Sequence, residues 1–277
     1  MTSQLMTGTA ESADAGRPAR PARAASLLVR AAKGLTGFAV AAGLWEVACL
    51  TGVLKPSAAP SAGAFASALV TSLHAGAPAA TVATLEAWAV TVLISAVIGC
   101  VIGLLTGISA WLNSVTSVFF DFVRPLPPIA ILPAVIVIVG VGQSLEVIIA
   151  VTAAVWPVLL GAHYGVSHTD PRMIDTGRAM QLGRVKRLYR IIIPSALPSI
   201  ATGLRLTAII ALAGVIGVEL IGGTGHGLGS YVAEATSTGS TNQAYAGAFI
   251  AAVVGLAITG VFFFIERRVL RWTTSYR

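Results

Sequence analysis

An all-α membrane protein with six crossing helices is the fold class this sequence predicts, on three observations. The chain is 56% hydrophobic and only 10% charged, with a mean hydropathy of +0.84, whereas soluble domains are about 45–50% apolar and about 25% charged. Its charge-free runs Ala87–Phe120, Pro125–Leu145 and Ala235–Ile265 match or exceed the ~20 residues that a helix needs, at ~1.5 Å per residue, to cross ~30 Å of hydrocarbon. Those runs lack the period-two alternation of a membrane β-barrel, so their backbone groups must be satisfied within helices.

The elements follow in order. Residues 1–33, rich in Ala, Pro, Ser and Arg without a periodic apolar face, predict a disordered basic tail. Residues 34–277 predict the membrane domain, with spans near Leu35–Leu54, Leu85–Trp111, Leu126–Val141, Leu145–Gly165, Ala196–Ile221 and Ala244–Ile265. The first is too long for the apolar core of a signal peptide and reads as an uncleaved helix. Between the first two spans, Phe65, Leu69 and Leu73 recur at helical spacing. They suggest a short amphipathic helix on the membrane, or else a loop with some apolar residues. Gly99, Gly103 and Gly107 fall one per turn on one face of the second span, which lets another helix approach closely. Pro125, Pro127 and Pro128 precede Pro133, which predicts a kink in the third span.

The net charge of +7 does not point to nucleic acid, because of where the charges lie. Apart from Lys55 and Arg205, every Lys and Arg falls in the N-terminal tail, at Arg124, between Arg172 and Arg190, or from Arg267 onward. With six crossings this is the positive-inside pattern and predicts both termini in the cytoplasm. Cys49 and Cys100 lie within spans without partner spacing. The four histidines make no paired-ligand motif, so neither catalysis nor a metal is expected.

Charge inside a bilayer costs at least ~2.5–3.5 kcal/mol, so ionisable residues there should face protein or water. Glu86 and Glu146 sit near expected span ends and read as interfacial. Glu46, Arg205 and Glu219 lie deeper and are the candidate substrate-path residues, with interhelix hydrogen bonding as the structural alternative. An anion path would use Arg205 or helix N-termini.

The longest polar interruption, within residues 166–195, reads as a cytoplasmic loop of two short helices. Asp170-Pro171 is a helix start. Met173, Gly177 and Met180 then share a face, and beyond a break at Gly183 so do Val185, Leu188 and Ile192. One face would lie on the spans, and the other, with Arg184, Lys186, Arg187 and Arg190, would meet cytosol, headgroups or a partner.

The sequence Asp175-Thr176-Gly177, then Gln181 after three residues and Ile191-Ile192-Ile193-Pro194 after nine more, is similar to the cytoplasmic loop of permease subunits in bacterial ATP-binding-cassette importers. Two residues depart from that pattern: Asp175 stands where glutamate is usual and Gln181 where glycine is usual, with Gly183 following. Trp45-Glu46, Ala59-Pro60-Ser61, Arg124-Pro125-Leu126-Pro127, Gly140-Val141-Gly142, Gly203-Leu204-Arg205, Glu219 and Gly227-Leu228-Gly229 resemble the sulfonate, taurine and nitrate branch. The resemblance implies the type I importer permease fold and a non-catalytic subunit of the bacterial inner membrane. It implies partner ATPase subunits that bind ATP and magnesium, a second permease chain (a homodimer is expected), and an extracytoplasmic solute-binding protein that delivers a small solute. Asp175, Thr176, Gly177, Gln181, Gly183, Ile191 and Pro194 are the implied ATPase-coupling residues. None of the three lysines, Lys33, Lys55 and Lys186, ends a P-loop, so energy must come from another subunit. An ATPase-independent transporter or channel and a membrane scaffold are the alternatives.

Overall fold

The computed structural model describes residues 23–52 and 59–270, and every regular element among them is helical. The chain divides into two compact units, Met1–Pro56 and Ser57–Arg277. The first contains α1 (Arg23–Leu50). Its start corrects the expected tail, because residues 23–33 are helical; their Arg, Ala, Leu and Lys are good helix formers. The rest of that tail, residues 1–22, and the far end of the first expected span lie outside the described residues.

The second unit runs α2 (Ala62–His74), α3 (Ala77–Ile108), α4 (Ala110–Val123), α5 (Leu132–Val139), α6 (Gln143–Ser167), α7 (Pro171–Ala179), α8 (Arg184–Arg187), α9 (Ile193–Gly222), α10 (Leu228–Ser237) and α11 (Thr241–Val269). Helix α6 is central and packs most extensively on α9 and α3. Small residues make that closeness possible. A Cβ on Gly103 would meet Ala162 Cβ at 2.7 Å, and one on Gly165 would meet Ala196 Cα at 2.9 Å. The glycine stripe expected on the second span is therefore a packing seam against α6. Because lipid supplies no hydrophobic drive for helix association, such contacts and interhelix hydrogen bonds must hold the bundle. Thr207 donates to the Ala154 carbonyl at 2.8 Å and Trp88 to the Ala208 carbonyl at 2.8 Å.

Among the described residues, four helices are long and apolar enough to cross a membrane: Ala77–Ile108, Gln143–Ser167, Arg184–Gly222 and Thr241–Arg268. A fifth crossing arises if Ala110–Val123 and Pro128–Val139, bent by 81°, count as one span. The sixth expected crossing is not reached among the described residues, where α1 offers the shorter apolar stretch Ala39–Leu50. The third expected span, Leu126–Val141, is also corrected. Ser109 ends α3 and its hydroxyl accepts the Leu112 amide at 3.3 Å, starting the separate helix α4. The prolines at 125, 127 and 128 stop α4 and lead through a 3-10 turn, Pro128–Ile131, into α5. Pro133 lies in the first turn of α5, where its missing N–H is harmless, so the bend precedes it.

Helix α2 is a true helix, and it packs on α11 rather than only lying on lipid. Phe65 meets Phe249 edge to face with centroids 5.4 Å apart. The buried Ser72 hydroxyl accepts from Tyr231 at 2.8 Å.

Candidate functional site

Helices α6 and α9 run antiparallel, with Gly165 against Ala196 and Gly214 against Ala150, which gives the second unit two ends. One carries the α7–α8 loop. At the other, roughly 36 Å away by the length of α6, the start of α6 meets residues 83–86 of α3 and residues 219–229.

At the loop end, Asp170 caps α7 by accepting the Arg172 amide at 2.9 Å, with Pro171 in the first turn. The structure brings Gly177 and Ile191 together. Gly177 is buried, and a Cβ on it would meet Ile191 Cδ1 at 2.6 Å. Asp175 pairs with Arg178 at 2.9 Å, but both side chains are about two-thirds exposed, so the pair contributes at most about 1 kcal/mol. Thr176 is exposed and bonds back to the Arg172 carbonyl at 2.8 Å. Gly183 is extended ahead of α8, Ile191 sits in a π-helical turn, Leu188–Ile192, and Pro194 opens α9.

The expected apolar faces are corrected here. Met173, Met180 and Val185 are exposed, as is Tyr189, because Gly177 takes the inward position of α7 and admits Ile191. The expected break at Gly183 begins earlier, at Gln181, whose φ is +55°. The Leu182 amide bonds the Gly177 carbonyl at 3.0 Å and the Gln181 amide bonds that of Arg178 at 2.9 Å. This double closure with a left-handed residue ends many helices and is usually built on glycine. Helix α10 ends the same way, with Gly239 at φ +73° and amide bonds from Ser240 to Ala235 and from Gly239 to Thr236. Left-handed backbone costs an L-residue about 1–2 kcal/mol. Gln181→Gly is therefore expected to stabilise this loop by about 1 kcal/mol, and Gln181→Val to weaken it by at least about as much. Hydrogen exchange at the Leu182 amide measures both.

At the opposite end, Glu219 is fully buried. Its carboxylate accepts from Thr84 Oγ1 at 2.7 Å and from the Gly229 amide at 2.8 Å. Thr84 Oγ1 in turn accepts the Leu228 amide at 2.8 Å. The pair thus satisfies the first amides of α10, which no turn of that helix could reach. Gly227, at φ +94°, leaves the space that the carboxylate fills. Glu219 is a structural clasp, and Thr84 is the partner that sequence reasoning missed.

Arg205 lies about 21 Å from Glu219 along α9 and pairs with Glu266 of α11 at 3.0 Å. Thr202 also donates to Glu266, at 3.2 Å. The structure therefore does not bring Arg205 and Glu219 together, and Glu266 answers the charge of Arg205. Glu46 is half-buried on α1, in the first unit. Glu146, expected to be interfacial, is only 3% exposed. Two cavities open beside these groups. One, of about 690 Å³, is lined by residues including Ala83, Glu219, His226, Tyr231 and Glu234. The other, of about 120 Å³, is lined by Ala83, Glu86, Gln143, Glu146 and His226.

Residues 95–274 fit the family described as the binding-protein-dependent transport system inner membrane component. The chain belongs to that family.

This transport-component family is named for the inner membrane, and the several apolar helices agree with a multi-pass membrane subunit. The chain is 28% identical over 173 residues to SsuC of Bacillus subtilis, named for aliphatic sulfonates transport, covering 61% of this chain and 62% of that protein. It is 27% identical over 165 residues to the taurine transport permease TauC of Escherichia coli, covering 60% of each. It is 23% identical over 163 residues to the nitrate import permease NrtB of Leptolyngbya laminosa, covering 59% of this chain and 58% of that one. The chain thus spans about three-fifths of the length of these relatives. In fold it is similar to a chain of the MetNI methionine ABC transporter in an inward-facing conformation, with TM-score 0.54 at 19% identity over 68% of this chain and 93% of that one. A chain of an amino acid ABC transporter gives TM-score 0.57 at 20% identity over 74% and 95%.

Proposed function

We propose that this chain is the translocation-pathway subunit of an ATP-driven importer for a small solute of the sulfonate, taurine or nitrate kind. The observation that carries the reading is the α7–α8 loop. It is folded on Gly177 and Ile191, yet leaves Met173, Met180, Val185 and Tyr189 exposed beside Arg184, Lys186 and Arg190. Exposed apolar residues on an ordered, basic loop suit a soluble partner better than a segment whose sole task is to fix topology. In this reading the partner is an ATPase subunit that binds ATP and magnesium, and the loop lies in the cytoplasm with both termini. A second copy of the chain completes the path, and an extracytoplasmic binding protein delivers solute at the Glu219 end. Closure of the ATPases would push α7 and α8, and the continuous helix α9 would carry that displacement, a rigid-body switch between two states.

Gly177→Glu tests the coupling. A longer side chain there displaces Ile191 and introduces a charge at a buried point, so the loop detaches while the spans remain. Reconstituted with the ATPase and binding protein, this variant is expected to insert normally and lose at least about 90% of ATP-driven uptake, a barrier change of about 1.4 kcal/mol or more. Normal uptake overturns the coupling role. Uptake by the wild type without any ATPase favours a secondary transporter, and no uptake in any arrangement favours a scaffold.

A further inference from the structure

The small cavity beside Glu146 joins three elements that are distant in the sequence: Ala83 and Glu86 from α3, Gln143 and Glu146 from the first turn of α6, and His226 from the turn between α9 and α10. Ala83 and His226 also line the larger cavity, so the two adjoin. Glu219 and Glu234 border that larger space. Neither cavity is lined by a Lys or Arg among the described residues. This end of the bundle is therefore acidic.

An acidic residue in the first turn of α6 is favourable beside the helix N-terminus. That accounts for a carboxylate at position 146 but not for its burial, since an exposed acid serves a helix end as well. Glu146 is 97% buried by its 3% exposure; the Thr224 side chain and His226 lie beside its carboxyl, yet its Oε1 is enclosed with no hydrogen-bond partner. Glu219, by contrast, has each carboxylate oxygen occupied by a donor. A buried carboxylate oxygen without a donor is costly. At a cavity with a second carboxylate, it marks a place for a group that brings donors and positive charge.

We infer that this pocket receives the ammonium group of the transported solute, with Glu146 and Glu86 as its counter-charges and Gln143 and His226 as further acceptors. The inference rests on the importer reading and narrows it to solutes that carry a cationic nitrogen, such as an aminosulfonate. About 120 Å³ accommodates an alkylammonium head, while the acid portion of a zwitterion can extend into the adjoining cavity. A plain oxyanion meets two carboxylates here, with only the partial positive charge of the α6 N-terminus and His226 to set against them. The ion pair of Arg205 with Glu266 leaves that arginine poorly suited to attract one.

The test uses the permease purified with its ATPase subunits and without a binding protein, titrated with radiolabelled taurine, ethylammonium and ethanesulfonate. Taurine and ethanesulfonate share the sulfonate and differ in the amine. Saturable binding of taurine and ethylammonium is expected, with ethanesulfonate weaker by about tenfold or more. Glu146→Gln and Glu86→Gln should each weaken the two ammonium probes by about tenfold and leave ethanesulfonate unchanged. Glu86 is exposed, so Glu86→Gln keeps the test valid if Glu146→Gln fails to fold. Unchanged ammonium binding in both variants, equal binding of ethanesulfonate, or no binding of either ammonium probe overturns the proposal. ATP-driven uptake that persists unaltered in the pocket variants sinks the pocket alone. Absence of any ATP-driven uptake sinks the importer reading and leaves the binding result to be judged by itself.

Discussion

Glu219→Ala is expected to destabilise the folded protein by about 3 kcal/mol, the larger share from donors left without acceptors. Interhelix hydrogen bonds in membrane proteins average only about 0.6 kcal/mol, because the unfolded chain in lipid also finds partners. That figure does not transfer here. Glu219 satisfies the Gly229 amide and the Thr84 hydroxyl at a site with no exposure, and each stranded buried donor costs about 1–3 kcal/mol. The vacated volume adds a cavity contribution. Glu219→Gln should recover part of the loss, since an amide oxygen in the place of Oε2 can accept from both Gly229 at 2.8 Å and Thr84 at 3.0 Å, while the NH2 that replaces Oε1 removes the shorter bond to Thr84. Thermal unfolding in detergent gives the three stabilities, and a double-mutant cycle with Thr84→Val isolates the coupling. Additive losses from Glu219→Ala and Thr84→Val would show that the two residues do not act as one clasp. The same substitution should loosen α10 and raise exchange at the Leu228 and Gly229 amides before the rest of the unit opens.

How much of this was legible in the sequence depended on whether the cause was local. Helices α6, α9 and α11 follow from long apolar runs, and their ends agree with expectation to within a few residues. The α3–α4 break did not show, because the charge-free run passes straight through Ser109 and a single capping hydroxyl interrupts it. The prolines of residues 125–133 pointed to a bend, but composition could not say that it lies before Pro133. The coupling loop was legible as a spacing, and the unusual Gln181 was visible as a departure before its left-handed backbone gave the departure a physical meaning. Glu219 stood out as a charge in an apolar run, whereas Thr84, 135 residues away, looked like any other threonine. Nearness to a span end made Glu146 look interfacial. Its burial depends on the 223–227 turn and on α3 converging there, which no local pattern encodes.

Gly203→Leu is expected to have the largest effect on folding, because nothing at that position can move aside. A Cβ on Gly203 would lie 2.6 Å from the Pro157 carbonyl oxygen and 3.0 Å from Val158 Cα, all of it α6 backbone. Across the same seam, a Cβ on Gly161 would meet the Ser199 carbonyl oxygen at 2.6 Å. Overpacking a core usually costs about 1–3 kcal/mol when side chains can shift. Here the helices themselves must separate, and the bilayer does not drive them back together. Gly203→Ala should therefore cost at least about 3 kcal/mol, the upper end of that range, and Gly203→Leu should leave no cooperative unfolding transition by tryptophan fluorescence. Gly260→Leu serves as the control, since a Cβ there meets nothing within 4 Å, and its stability should stay within about 0.5 kcal/mol of the parent. If Gly203→Leu unfolds like Gly260→Leu, α6 and α9 are not in backbone contact. The seam would then be too loose for α9, which links the Ile191 turn to the Glu219 clasp, to act as a rigid lever between the two ends.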